Sequence, residues 1–422
     1  MAATEMANPS ASTITSPAEA SRRRSIGFLN WGHFLDHYVI LIFPTVVIGL
    51  EAVYGRSYGD LLMLSTAAFT AFGLFALPFG WLADHWSRRN LIASYFLGTG
   101  ISTAAVGLAP NFTMLAAALF AVGVFAAIYH PVGMPMLIDQ AVNRGRTVSL
   151  HGVFGNIGVS IAAGVTAAIT AAIDWRWAFF VPAAVFIVTG FAYLMFVPNE
   201  GPRRAPVASS QDVTLDRRMV ILIVALFMCL ALSSGLVFNA LTITLPKIVD
   251  ARIGRELPLA IVGSLATAVF LCGAVAQLSI GRLVERVPPH HLIAGVGVLQ
   301  LIGVVWVYYA AGWQLLLALA LSIAAIYAQV TVNDIVLARY TPPAWRGRIY
   351  AMRFFLIFTS AGPTVWGIGW LYDRGGFGLV LWITAIVAAV FAANSLIITA
   401  LVAGVERPAS ARDAAGEVVP NL

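Results

Sequence analysis

Charge is scarce in this sequence: Asp, Glu, Lys and Arg make up only 10% of 422 residues, and 60% are hydrophobic. A water-soluble domain carries about 25% charged residues, so the composition excludes an ordinary soluble globule. Lysine occurs once, as Lys247 between Pro246 and Ile248. A phosphate-cradling loop ending in Gly-Lys-Ser/Thr therefore cannot form, which excludes a nucleotide-driven pump. The two cysteines, Cys229 and Cys272, lie inside apolar runs and indicate no disulfide framework. No Cys/His set has the spacing of a zinc site, and no Ser/His/Asp arrangement can be assembled outside the apolar runs. The expectation is a protein that is not an enzyme and that needs neither metal nor cofactor.

The chain consists mainly of long apolar runs, each close to the roughly 20 residues that cross a bilayer as a helix. Twelve are expected: 26–50, 60–83, 91–109, 112–139, 148–172, 174–197, 219–248, 258–283, 291–311, 313–338, 347–371 and 377–403. Backbone groups find no water in hydrocarbon, so the runs must be helices. With an inside N-terminus, 18 of the 25 basic residues fall on inner loops and tails. The positive-inside rule then puts both termini in the cytoplasm, and the basic pI is no sign of nucleic-acid binding. Residues 1–24 read as a disordered tail, 25–197 as a first six-helix bundle and 198–218 as a cytoplasmic linker. Residues 219–404 read as a second bundle and 405–422 as a second tail.

The two bundles repeat one another. Asp84, Arg88 and Arg89 occupy the loop after helix 2, as Glu285 and Arg286 do after helix 8. Arg144-Gly145-Arg146 leads into helix 5, as Arg346-Gly347-Arg348 leads into helix 11. Asp84 and Arg146 are 62 positions apart, Glu285 and Arg348 63, so the halves are offset by roughly 200 residues. The fold expected is an all-α membrane protein with twelve transmembrane helices in two pseudo-symmetric six-helix bundles.

Polar residues inside spans are costly and commonly mark ion or substrate paths. Helix 1 carries the densest set: His33, Asp36 and His37 at i, i+3 and i+4, on one helical face. Helix 4 contains Tyr129-His130-Pro131, where the proline frees a carbonyl and kinks the span. At about 1.5 Å per residue, His37 and His130 lie at similar depth, roughly 15 Å from the inner surface. They can therefore face one another. Asn239 in helix 7, and Tyr327 and Asn333 in helix 10, are further cavity candidates. Asp334 and Arg353, both near the inner surface, are expected to pair and close the cavity.

Gly80-Trp81-Leu82-Ala83-Asp84-His85-Trp86-Ser87-Arg88-Arg89-Asn90 resembles the loop between helices 2 and 3 of major facilitator superfamily transporters, written G-x-L-A-D-R-x-G-R-R. His85 stands where that family has Arg, and Ser87 where it has Gly. The resemblance implies that Asp84 docks at the inner end of helix 11, beside Arg346 and Arg348, when the cavity opens outward. Glu285 with Arg144 and Arg146 makes the mirror contact. Within the superfamily, His33-Phe34-Leu35-Asp36-His37, Tyr129-His130-Pro131 and Gly155-Asn156-Ile157-Gly158 resemble the fosmidomycin-resistance-type exporters. Those read H-x-x-N-D, F-H-P and Gly-Asn-x-Gly. Here Asp36 takes the Asn position and His37 the Asp position, a shift of the carboxylate by about 100° around the helix. The arginine that many drug–proton antiporters carry in helix 4 is absent from residues 112–139.

With no nucleotide site, transport energy must come from an ion gradient or from the substrate's own. The first reading is a proton-coupled exporter of a small organic compound, monomeric, in the bacterial inner membrane. Asp36, His33, His37 and His130 would exchange protons with substrate. The alternative is an uptake symporter or facilitator for a small, anionic metabolite. A non-transporting sensor is a third, disfavoured because neither tail is long enough for a signalling domain.

Overall fold

A computed structural model describes residues 17–199, 217–253, 257–284, 286–340 and 343–405. The two tail ends, most of the expected linker, Glu285, and the side chains of Arg144, Arg346 and Arg348 lie outside the described residues. The described chain is α-helical, with no strand among the described residues.

Span 1 is α1 (Pro17–Ile40) followed by α2 (Ile42–Tyr54), and span 2 is α3 (Tyr58–Met63) followed by α4 (Thr66–His85). Span 3 is α5 (Arg88–Leu108), span 4 is α6 (Phe112–Ala126) with α7 (Tyr129–Gln140), and spans 5 and 6 are α8 (Arg144–Ala172) and α9 (Trp177–Phe196). Spans 7 to 10 are α10 (Arg217–Arg252), α11 (Leu259–Leu283), α12 (Pro289–Tyr309) and α13 (Gln314–Tyr340). The last two spans come from α14 (Pro343–Thr359) and α15 (Ala361–Val405). In α15 the backbone leaves helical geometry at Gly375 and at Gly376, whose φ of 58° and ψ of −158° suit only glycine. The chain therefore turns back there, and one 45-residue element supplies parts of two crossings.

Local chemistry explains the element ends. Ser57, Ser87, Asn111 and Asn143 each accept a hydrogen bond from the backbone N–H three residues on, which satisfies an otherwise unpaired donor of the first turn. Span 1 starts at Pro17, eight residues inside the stretch expected to be a disordered tail. Proline fits the first helical position, Glu19 suits the first turn, and Arg23 donates to Glu19 at 2.6 Å one turn later.

Three spans are broken at a shared distance from a proline. α1 ends at Ile40, four residues before Pro44; α6 ends beside Ala127, four before Pro131; α14 ends at Thr359, four before Pro363. A proline ring clashes with the carbonyl four residues earlier and offers it no N–H. The break in span 11 therefore falls at Ser360, upstream of Pro363. Pro78 and Pro246 lie in helices that continue through them.

Spans 1–6 pack together, as do spans 7–12, and the two groups meet chiefly along two seams, with a smaller contact between α2 and α10. In the seam between α8 and α11, small residues let the backbones approach. A Cβ on Gly263 would collide with Ala167, and the Gly164 N–H donates to Thr267 Oγ1 at 3.1 Å. In the seam between span 2 and span 11, Gly59 lies against Gly369 and Asp373, and Gly73 against Phe358. Large apolar side chains such as Ile101, Leu108, Val188 and Met195 remain exposed, on a surface suited to lipid.

Candidate functional site

His37 lies four residues before the break between α1 and α2, and His130 two residues after the break between α6 and α7. Their rings meet with centroids 5.5 Å apart in a histidine cluster. Span 1 supplies His33, Asp36 and His37, span 4 supplies Tyr129 and His130, and span 5 supplies His151. His33 Nδ1 donates to the His151 carbonyl at 2.7 Å, since a carbonyl can only accept. Neutral His33 then presents a lone pair at Nε2, to which His37 Nε2 donates at 3.1 Å. The His33 and His151 rings stack with centroids 4.0 Å apart, and His151 Nδ1 donates to Asn30 Oδ1 at 3.0 Å.

His130 Nε2 lies 3.4 Å from Asp36 Oδ2. The Asp36 carboxylate is only 1% exposed. Tyr129 OH donates to the Leu29 carbonyl and Tyr95 OH to that of Gly32, locking spans 3 and 4 to span 1. His130 also reaches the other half of the molecule: its ring centroid is 5.1 Å from that of Phe358 in span 11. The cluster thus faces the junction between the halves.

The glycine stretch of span 5 makes this packing possible. A Cβ at Gly155 would stand 2.5 Å from Cε1 of His33, and one at Gly158 would strike the Phe34 carbonyl. These glycines admit the His33 ring and the span 1 backbone.

The structure brings His33, Asp36, His37, Tyr129 and His130 together. Asn239, Tyr327 and Asn333 are buried in the second half instead. Tyr327 packs against Gly273, and neither its hydroxyl nor the Asn333 amide has a hydrogen-bond partner among the described residues. Asp334 and Arg353 do form an ion pair. It joins span 10 to span 11 within one half, so it braces that half and does not bridge the two.

In the loop after span 2, Arg88 lies 3.7 Å from Asp84 and 3.1 Å from Asp139 of span 4. Arg89 donates to the carbonyls of Leu194 and Val197, both at 2.5 Å, where a cation complements the C-terminal end of span 6. Ser87 caps α5, and His85 Nδ1 donates to the Trp81 carbonyl at 2.8 Å while stacking on its ring. These are the roles of the two residues that depart from the loop pattern. Arg146 and Arg286 are exposed.

Residues 27–263 match the sequence profile of the Major Facilitator Superfamily. The chain belongs to that superfamily. Among curated relatives, the puromycin resistance protein pur8 of Streptomyces alboniger is 31% identical over 126 residues, 29% of this chain and 25% of that protein. An uncharacterized MFS-type transporter of Mycobacterium tuberculosis is 26% identical over 185 residues, 41% of this chain and 31% of that protein. The matches thus span between a quarter and a third of the relatives' length. A bacterial homolog of the human lysosomal transporter Spinster, inward-facing and occupied, superposes with a TM-score of 0.68. That likeness covers 91% of this chain and 94% of the other at 13% identity. A D-xylose-proton symporter also superposes at 0.68, with 16% identity over 88% and 96% of the two chains. The major facilitator fold and its twelve spans are therefore those of this multi-pass membrane protein.

One further set of residues was not singled out from sequence. At the end opposite the Asp84 loop, Lys247 of span 7 pairs with Glu51 of span 1 and, at 2.9 Å, with Asp250. Ser57 donates to Asp373 of span 11 at 2.8 Å. These contacts tie the halves together, and the void between them at Leu41, Pro44, Thr242 and Phe270 measures only about 10 Å³. That is about the room of one water.

Proposed function

We propose that this superfamily member is a secondary transporter that exports a small organic compound in exchange for protons by alternating access. The observation that carries the reading is the buried Asp36–His130 contact, 3.4 Å long, at the junction of the halves. A carboxylate there is costly to keep charged without a partner. Binding a proton and binding a cationic or polar substrate are thus competing ways to satisfy it. His33 and His37 extend the proton path toward span 5. The asymmetric distribution of arginines supports a cytoplasmic location for both termini and for the Asp84 loop in an inner membrane. The likeness to a puromycin resistance protein supports export. A monomer suffices, because the cluster is assembled from one chain.

The test is substrate-induced proton movement in everted vesicles containing the purified chain. An exporter exchanging substrate for protons releases protons from the vesicle lumen as substrate enters. Co-transport gives the opposite sign and supports an uptake symporter. No movement with any substrate that the protein binds contradicts proton coupling.

A further inference from the structure

We propose that His33, His37 and His130 form a binding site for one divalent first-row transition-metal ion, with zinc as the type ion. One nitrogen from each of the three rings lies within 4.8 Å of the other two. Zinc–nitrogen bonds of 2.0–2.1 Å at tetrahedral angles put ligand nitrogens roughly 3.3 Å apart. His33 Nε2 and His37 Nε2 are already 3.1 Å apart. The His130 side chain has to rotate to close the rest of the gap.

Two features mark the three rings as ligands. The first is the hydrogen bonding behind them. His33 Nδ1 is committed to the His151 carbonyl, which leaves the Nε2 lone pair facing the other rings. His37, which donates to it from Nε2 in the absence of metal, offers that nitrogen as a ligand when its proton shifts to Nδ1. His130 lies against Asp36, a carboxylate–histidine pairing of the kind that orients metal-bound imidazoles and raises their basicity. The second is charge. Asp36 is buried, and its Oδ1 has no hydrogen-bond partner among the described residues. A buried carboxylate with so little compensation favours a cation nearby, and neutral imidazoles select a borderline-soft divalent ion over sodium, magnesium or calcium. The Phe72 and Phe358 rings beside His130 form an apolar wall and add no hard oxygen ligand.

The sequence places only two of these ligands together, the i, i+4 pair His33 and His37, because His130 comes from span 4 and only the fold joins it to them. The proposal does not depend on the direction of transport or on proton coupling. Both of those are measured with a chelator present.

The experiment is isothermal titration of Zn²⁺ into the untagged, chelator-stripped chain in detergent. Saturable binding of one ion per chain is expected. His33→Gln, His37→Gln and His130→Gln should each weaken it at least about tenfold, as loss of one ligand from a three-ligand site does. His290→Gln and His291→Gln, outside the cluster, should leave it unchanged. Absence of saturable binding overturns the proposal, as does binding insensitive to the three cluster substitutions. Zinc X-ray absorption on the unsubstituted chain guards against misfolded variants. Three imidazole nitrogens at 2.0–2.1 Å are expected, and a first shell of oxygen or sulfur alone overturns the site.

Discussion

Asp36 and His130 come from spans whose sequence positions differ by nearly a hundred, yet they meet at the junction of the halves. Asp36→Asn keeps the shape and removes the titrating group. It should reduce pH-gradient-driven transport to the level of empty liposomes while expression and elution profile stay unchanged. Transport that still follows the gradient removes Asp36 from coupling. Gly155→Ala forces a methyl against the His33 ring, an overpacking that costs about 1–3 kcal/mol. A thermal unfolding scan should show a lower midpoint, with transport reduced as well. His33, Asp36 and His37 were legible because helical periodicity alone puts them on one face. His151 and Asn30 were not. Asn30 sits one turn before His33 and could have been found by the same periodicity, but His151 depends on how closely span 5 approaches span 1. That approach is set by Gly155 and Gly158, whose effect appears only once the two helices are docked.

Three of the four broken spans carry a proline four residues beyond the break, span 2 being the exception, and two of those three breaks border the histidine cluster. Pro131→Ala should let span 4 run through Ala127 and Ile128. Restoring the hydrogen bond and relieving the clash is worth on the order of 3 kcal/mol. The variant should melt higher in detergent and turn over more slowly, because His130 loses its freedom to move. A faster transporter would contradict this role for the break. The loop after span 2 works by charge. Arg88, between Asp84 and Asp139, joins spans 2, 3 and 4 into one body, so Asp84→Asn should slow turnover with little change in substrate affinity. A pure loss of affinity would argue against a mechanical role. The loop pattern was readable directly from the sequence. Asp139 as the partner of Arg88 was not, since it is supplied by span 4.

The twelve spans and their twofold repeat follow from hydropathy and from matched arginine–glycine–arginine segments, so both are legible in the sequence. What joins the halves was hidden. Lys247 pairs with Glu51 across 196 positions, and Ser57 with Asp373 across 316. No local pattern announces pairings of that separation. Alternating access requires these contacts to part while the Asp84 end closes. The most direct test is a cross-link at the Ser57–Asp373 contact, made with Ser57→Cys and Asp373→Cys in a chain whose Cys229 and Cys272 are replaced by serine. Oxidation should stop transport in proteoliposomes and reduction should restore it. Undiminished transport by the fully cross-linked protein would contradict the pivoting of the two halves.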